Sequence, residues 1–366
     1  MNVVIIGNNL TSLTLANALV NNKVGVTLFS KFKLDPFKTD RCIGITLKNL
    51  IFFEKEVSRI EKKYIMPIDE IGIFLEKNHT KETLNFKKKD TSLLHIIKIS
   101  NLIKILKTKI KKNKLFLEKK INNKNFYEKI LKDHKYDLIF NCEKNNYFIK
   151  KYFYQKHQKD YKSIAFTCII NHAQIKNNKA IQIFTKYGPL AFLPLSKIQT
   201  SVVFSMYNQK EIYDKKKILN IIKAYNNKYV ISKTSNIEKA KLKFSSVRRY
   251  SAGKILLFGD ELHQIHPLAG QGFNMTIRDL SILINLIKKK KELGLNLDKT
   301  TIEEFEKKTK HYNFLYSNGI NLLQDFFKLD SKNKNKITHK LFGLIGKNKF
   351  FNKIFMNMAD QGINIH

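Results

Sequence analysis

Residues 259–279 read Gly259-Asp260-Glu261-Leu262-His263-Gln264-Ile265-His266-Pro267-Leu268-Ala269-Gly270-Gln271-Gly272-Phe273-Asn274-Met275-Thr276-Ile277-Arg278-Asp279. The run begins at the end of a short apolar stretch, 254–258, which predicts a buried strand. It leads into 274–291, whose apolar spacing predicts a helix. A strand end, an acid, a Pro/Gly-rich loop and a new helix suit the binding of a flat, polar ligand. Asp260 at the strand end can bond a ribose or ribityl hydroxyl, or cap a turn. Gly270 and Gly272 let backbone approach a planar ring because no Cβ intervenes. Residues 272–274 present N–H groups at a helix start, suited to an electron-rich carbonyl or a developing anion. His263 and His266 are read as structuring this loop rather than as metal ligands, because no Cys or carboxylate cluster accompanies them.

Working outward, the chain opens with a β-branched apolar run, 2–6, read as a buried strand and not a signal peptide. A turn at Gly7-Asn8-Asn9 follows, then helical spacing over 10–20 and a second apolar run over 24–29. A strand feeding a glycine turn and a helix is the dinucleotide-binding context, because the helix start offers free N–H groups and partial positive charge to a pyrophosphate. The usual G-x-G-x-x-G appears here as Gly7-Asn8-Asn9-Leu10-Thr11-Ser12. Asn tolerates a left-handed backbone better than other non-glycine residues, so Asn9 is expected to keep the turn while its side chain crowds a pyrophosphate. Ser12 is small enough for close helix–strand packing. The acid expected about 20 residues on is replaced by Ser30, a hydroxyl without charge-assisted strength. An ordinary βαβ unit with no nucleotide is the competing reading of this motif alone.

Between the two motifs, 68–75 reads as a strand, 100–112 as a basic amphipathic helix and 136–141 as a buried strand, with Cys142 at its end read as a core residue. Residues 164–207 alternate and read as antiparallel sheet, with turns at Asn177-Asn178 and Tyr187-Gly188-Pro189, and 213–225 as helix. The tail from Thr301 is helical in period, and the lysine-rich 328–336 stretch reads as a linker. The lysines at 288–291 read as a solvated helix end.

The 366 residues carry a net charge of +38, with 43% hydrophobic content, enough for a large core. A nucleic-acid partner is not inferred from the charge. Arg occurs only at 41, 59, 248, 249 and 278, and lysines lie along the whole chain instead of clustering as a phosphate footprint would. Three separated cysteines, Cys42, Cys142 and Cys168, point to a reducing compartment. No run is long enough for a membrane-spanning helix, so a cytoplasmic location is expected, extending to a peripheral one on the inner membrane face.

Residues 259–279 resemble, almost residue for residue, the G-D-A-A-H-x-x-H-P-L-A-G-Q-G-x-N-x-G-x-x-D signature of the ubiquinone-biosynthesis hydroxylase family of FAD-dependent aromatic-ring monooxygenases. Glu261-Leu262 stands for the two alanines and Thr276 for a glycine. The resemblance continues in Tyr187-Gly188-Pro189-Leu190-Ala191-Phe192-Leu193-Pro194-Leu195, similar to the family's G-P-L-A-L-L-P-L, in Arg248-Arg249-Tyr250, in Asp40-Arg41 for its D-x-R, and in 343–359 for its closing helix. The N-R-x-L appears as Ile99-Ser100-Asn101-Leu102, and the G-A-D-G as Asn141-Cys142-Glu143-Lys144.

The resemblance implies an α/β fold: a Rossmann-like FAD-binding domain with an inserted antiparallel-sheet substrate domain and a helical C-terminus. The implied FAD-binding segments are 1–66, 96–150 and 246–300, the substrate domain 67–95 and 151–245, and the C-terminal region 301–366. It implies FAD held by Gly7, Asn9, Ser12, Ser30, Arg41, Asp260, Pro267, Gly270, Gly272 and Asn274. The flavin carries the chemistry, and Pro267, Gly270, Gln271 and Gly272 form the ring-side wall. Expected partners are O2, NAD(P)H or another donor, a polyprenylated phenol, a membrane surface met by the basic tail with Phe326, Phe327, Phe350 and Phe351, and a biosynthetic complex. The eroded adenosine half motivates a second reading, a homologue without FAD that serves as a scaffold in that complex.

Overall fold

The computed structural model describes residues 1–31, 41–76, 82–87, 91–122, 125–207, 214–265 and 271–332. Of the residues singled out above, Asp40, His266, Pro267, Leu268, Ala269, Gly270 and the 343–359 segment with Phe350 and Phe351 lie outside these ranges, as do the side chains of Phe326 and Phe327.

The first half of the chain contains β1 (Asn2–Ile6), α1 (Leu10–Asn21), β2 (Gly25–Ser30), β3 (Cys42–Thr46), α2 (Leu47–Glu56), β4 (Met66–Ile68), β5 (Glu70–Leu75), β6 (Leu84–Lys87), β7 (Leu94–Lys98), α3 (Ile99–Ile110), β8 (Phe116–Lys120), α4 (Phe126–Lys132), β9 (Leu138–Asn141) and α5 (Tyr147–Tyr152). The second half contains β10 (Lys156–His172), β11 (Lys179–Thr185), β12 (Gly188–Pro194), β13 (Gln199–Tyr207), α6 (Lys215–Ala224), β14 (Ile231–Thr234), β15 (Glu238–Val247), β16 (Ser251–Ala252), β17 (Ile255–Leu257), β18 (His263–Gln264), α7 (Gln271–Glu292) and α8 (Lys299–Lys332).

One sheet has the order β16-β17-β9-β1-β2-β8. From β17 to β8 every pairing is parallel. Strands buried on both faces are near-continuous apolar runs, and Val3, Val4, Ile5 and Ile6 of β1 and Leu138, Ile139 and Phe140 of β9 are fully buried. Helices α1, α2, α3 and α7 contribute Leu13, Phe53, Leu106 and Leu280 to the same core. The mixed α/β architecture expected from the motifs is present.

The second sheet has the order β18-β15-β10-β13-β12-β11-β5-β6, with β14 beside β10. Alternation decides its two faces. Phe166, Cys168 and Ile170 of β10 and Val202, Phe204 and Met206 of β13 pack against Ile218 and Ile222 of α6. The intervening residues turn to the opposite face, where Leu193 joins Ile68, Leu94 and Ile96 from the small sheet β3-β7-β4.

Several sequence expectations are corrected. The 68–75 strand is two strands separated at Asp69, in different sheets. The 164–207 region is not wholly antiparallel, because β11 pairs with β5 in parallel. Helix α7 includes Gln271 and Gly272, three residues before the expected start. The supposed linker at 328–336 is helical through Lys332, because the periodicity of α8 carries on through the lysines.

Candidate functional site

In the six-stranded sheet β1 is followed by β2 on one side, while β9 lies on the other. The strand order reverses between β1 and β9, and parallel α/β sheets bind ligands at the carboxyl edge of such a switch point. Gly7 lies on that edge. Its φ is +126°, and a Cβ there would come within 3.1 Å of the Cys142 carbonyl carbon at the end of β9. Both the backbone angle and the crowding therefore require glycine.

Asn9 does not take the left-handed conformation expected of it. Its φ and ψ are −147° and 178°, and it is the N-cap of α1. The Ser12 N–H donates to Asn9 Oδ1 at 2.9 Å, and the Asn9 N–H donates to Ser12 Oγ at 2.9 Å. This reciprocal capping box satisfies two donors that a glycine turn would leave open. Asn9 Nδ2 reaches across the switch to donate to the Cys142 carbonyl at 2.6 Å. Ser12, fully buried, packs closely as expected and also serves this cap. The Leu10 and Thr11 N–H groups remain at the helix start without intrahelical acceptors.

Ser30 is buried at the carboxyl end of β2, one strand away. Lys31 next to it lies 3.9 Å from Glu143, which follows β9. Asp260 is exposed beyond the carboxyl end of β17, where Gly259 (φ +70°) leaves room for Thr11. Gly7, Asn9, Ser12, Ser30 and Asp260, distant in sequence, thus share one rim. Glu261 is buried beside it; burial pushes its carboxyl up to about 7, against the pull of Lys144 and Lys156. Arg41, at the start of β3, accepts the Ile99 N–H on its carbonyl at 3.0 Å, which sets it against the start of α3.

On α7, a Cβ added to Gly272 would meet, among the described residues, only Ile265 Cγ1 at 4.0 Å. Among the described residues, packing therefore does not require this glycine. Asn274 ties α7 to the β3–α2 turn. Its Oδ1 accepts from the Thr46 N–H at 3.0 Å and Asn49 Nδ2 at 2.9 Å, and its Nδ2 donates to the Gly44 carbonyl at 2.8 Å. Gln271 Oε1 accepts from the Tyr316 hydroxyl at 2.6 Å.

Along α7, His263 Nε2 lies 3.0 Å from Asp279 Oδ2, both fully buried. Asn313 Nδ2 donates to the same oxygen at 2.9 Å, and Arg278 bonds Asn313. Burial opposes ionisation of Asp279, but His263, Arg278 and Asn313 together hold its pKa below the usual value. His263 is thus tied through its ring to Asp279 of α7. Among the described residues no group of three His, Cys, Asp or Glu is placed to hold a metal. Sequence reasoning missed Asn313 and Tyr316 of α8, which no motif marks, and the Lys31–Glu143 pair.

On the face of the second sheet turned toward β7, Lys98 Nζ donates to Gln199 Oε1 at 3.3 Å and Gln199 Nε2 to Asn171 Oδ1 at 2.9 Å. Ser201 pairs in register with Ile169 and Leu193. The layer is apolar with a polar end, suited to a ring bearing few polar groups.

A profile of the family described as FAD binding domain matches residues 155–290. The chain is similar to 3-demethoxyubiquinol 3-hydroxylase of Escherichia coli (strain K12), 28% identical over 169 residues, 43% of this chain and 43% of that protein. It is similar to a mitochondrial ubiquinone biosynthesis monooxygenase of Danio rerio, 24% identical over 213 residues, 47% of this chain and 44% of that protein. The chain spans less than half the length of each of these curated relatives. Among solved structures it shares its fold with p-nitrophenol 4-monooxygenase PnpA from Pseudomonas putida DLL-E4, at TM-score 0.73 and 9% identity over 99% of this chain and 98% of that one. It also shares it with Klebsiella pneumoniae HpxO complexed with FAD and uric acid, at TM-score 0.72 and 10% identity over 99% of this chain and 97% of that one. The chain therefore carries a match to the FAD binding domain, has the fold of FAD-dependent monooxygenases, and is similar at low identity to hydroxylases of ubiquinone biosynthesis.

Proposed function

We propose that this chain holds FAD along the rim from Ser30 to Gly272 and hydroxylates the aromatic ring of a polyprenylated phenol in ubiquinone biosynthesis. The observation that carries the reading is the convergence of Gly7, Ser30 and Asp260 on one carboxyl edge, with Gly272 further along the site free of close contacts among the described residues. The Leu10 and Thr11 N–H groups face the pyrophosphate, with Arg41 adding charge where Ser100 supplies none. Ser30 takes the adenosine ribose, and Asp260 bonds a ribityl hydroxyl. Bound there, FAD supplies the oxygen activation that no side chain can. The protein's part is to position the ring near Gly272 and to exclude water.

On this reading segments 1–66, 96–150 and 246–300 form the cofactor part, 67–95 and 151–245 the substrate part, and 301–366 a helical C-terminal region. The substrate ring lies against the face carrying Ser201 and Leu193. O2 and a reduced donor such as NAD(P)H are co-substrates, and the prenyl tail is drawn from a membrane surface. No helix of the described residues is long and apolar enough to cross a membrane. The family match favours this reading over a flavin-free scaffold.

The test is the absorbance spectrum of the purified protein after incubation with FAD and gel filtration. Stoichiometric flavin supports the reading. A colourless protein that refuses FAD at high micromolar concentration sinks it and leaves the scaffold.

A further inference from the structure

Along α3 the chain leaves a cavity of about 700 Å³, within the size range of small-molecule sites. Asn101, Lys104, Thr108 and Lys112 line one side at helical spacing, and Ser58 and Tyr64 stand opposite. Lys109 turns its ammonium onto the Val57 carbonyl at 2.6 Å. Burial of that ammonium lowers its pKa although much of the stem is exposed. The single acid of the lining, Glu61, is neutralised by Lys63 at 2.6 Å. The groove is therefore cationic by more than the composition of the chain alone. From Asn101 to Lys112 it extends about 16 Å at 1.5 Å per helical residue, roughly the reach of a nucleotide with two phosphates.

We propose that this groove binds a nucleoside diphosphate moiety, free or as half of a dinucleotide, at a site separate from the strand-end rim. Lys104 and Lys112 meet the phosphates. Tyr64 and Ile105 offer apolar surface to a base or sugar, and Asn101 and Asn113 offer amides to its edge. The opposite wall sets the groove apart from a flat lysine face that would meet a lipid surface. The N-terminal end of α3 lies beside Arg41, so a dinucleotide in the groove points toward the rim. That last relation rests on the FAD reading, whereas the binding site itself does not.

The experiment measures ADP and inorganic pyrophosphate binding to the full chain saturated with FAD, at about 0.15 M salt, where exposed charges are screened beyond roughly 8 Å. It compares wild type, a Lys104→Ala/Lys112→Ala variant and a Lys215→Ala/Lys216→Ala variant that removes equal charge from α6. All four lysines are exposed, so folding is preserved. The expected result is at least a tenfold loss of ADP affinity in the groove variant, less than twofold in the control, and unchanged flavin content in both. Equal losses in the two variants overturn the proposal in favour of unspecific charge. It is also overturned if ADP fails to bind while phosphatidylglycerol vesicles bind through Lys104 and Lys112, which identifies a lipid headgroup as the source of phosphate. A protein that refuses FAD yet binds ADP through Lys104 and Lys112 sinks the flavin reading and leaves this one standing.

Discussion

Asn9 Nδ2 donates to the Cys142 carbonyl at 2.6 Å, so a side chain closes the crevice between β1 and β9 where a glycine turn would leave it open. Asn9→Gly removes this clip and frees the Ser12 N–H, while glycine at an N-cap costs only a few tenths of a kcal/mol. FAD affinity is expected to tighten about tenfold, equivalent to about 1.4 kcal/mol, in a flavin-fluorescence titration. Unchanged or weaker binding would show that the clip does not limit access.

Asp279 is fully buried and receives bonds from His263 and Asn313. Asp279→Ala leaves His263 and the Asn313 amide without their partner and is expected to cost roughly 3–5 kcal/mol in urea denaturation. The folded pKa is depressed, so the contribution is present above the unfolded value and is lost as pH falls through the folded one. Asp279→Asn should accordingly flatten the acid limb of the stability profile. A wild-type acid limb in that variant counts against the ionised network.

Glu261 behaves with the opposite sign. Its folded pKa is raised from the usual 4.5 to about 7 by burial. Its protonated form is fully accommodated below pH 4.5, and the penalty grows as pH rises through 7, approaching roughly 3 kcal/mol at about 1.36 kcal/mol per pH unit. Lys144 and Lys156 reduce it. Glu261→Gln should raise the melting temperature at about pH 8 and leave it almost unchanged at about pH 4.5. Equal effects at both pH values would contradict a buried, titrating carboxyl.

Gly259 is held at φ +70°, and the Thr11 methyl stands where a Cβ would clash with it. Gly259→Ala combines backbone strain with that clash, on the order of 3 kcal/mol in chemical denaturation. Adding Thr11→Ala removes the methyl and should recover about half of the loss, the strain remaining. Complete recovery would assign the whole effect to the clash.

Much of the architecture was legible because it rests on local periodicity. The 2–6 run, the turn at Gly7 and the spacing over 10–20 describe β1 and α1 to within a residue. Residues 259–279 marked the acid, loop and helix of the second motif. The division of 68–75 was not legible, since β4 and β5 read as one apolar stretch and only their partners, β7 and β11, separate them.

The sequence by itself determined the strand–turn–helix order, the family signature and the weakened glycine turn, because each is a property of neighbouring residues. Only the tertiary structure decided what Asn9 does, because its partner Cys142 is 133 residues away and reaches it through the pairing of β9 with β1. The same holds for Asp279, whose partner Asn313 arrives on α8, and for the cationic groove, which exists only because the loop after α2 stands opposite α3. Periodicity states which face of an element is apolar, whereas hydrogen-bond partners and cavity walls depend on which distant element packs against that face.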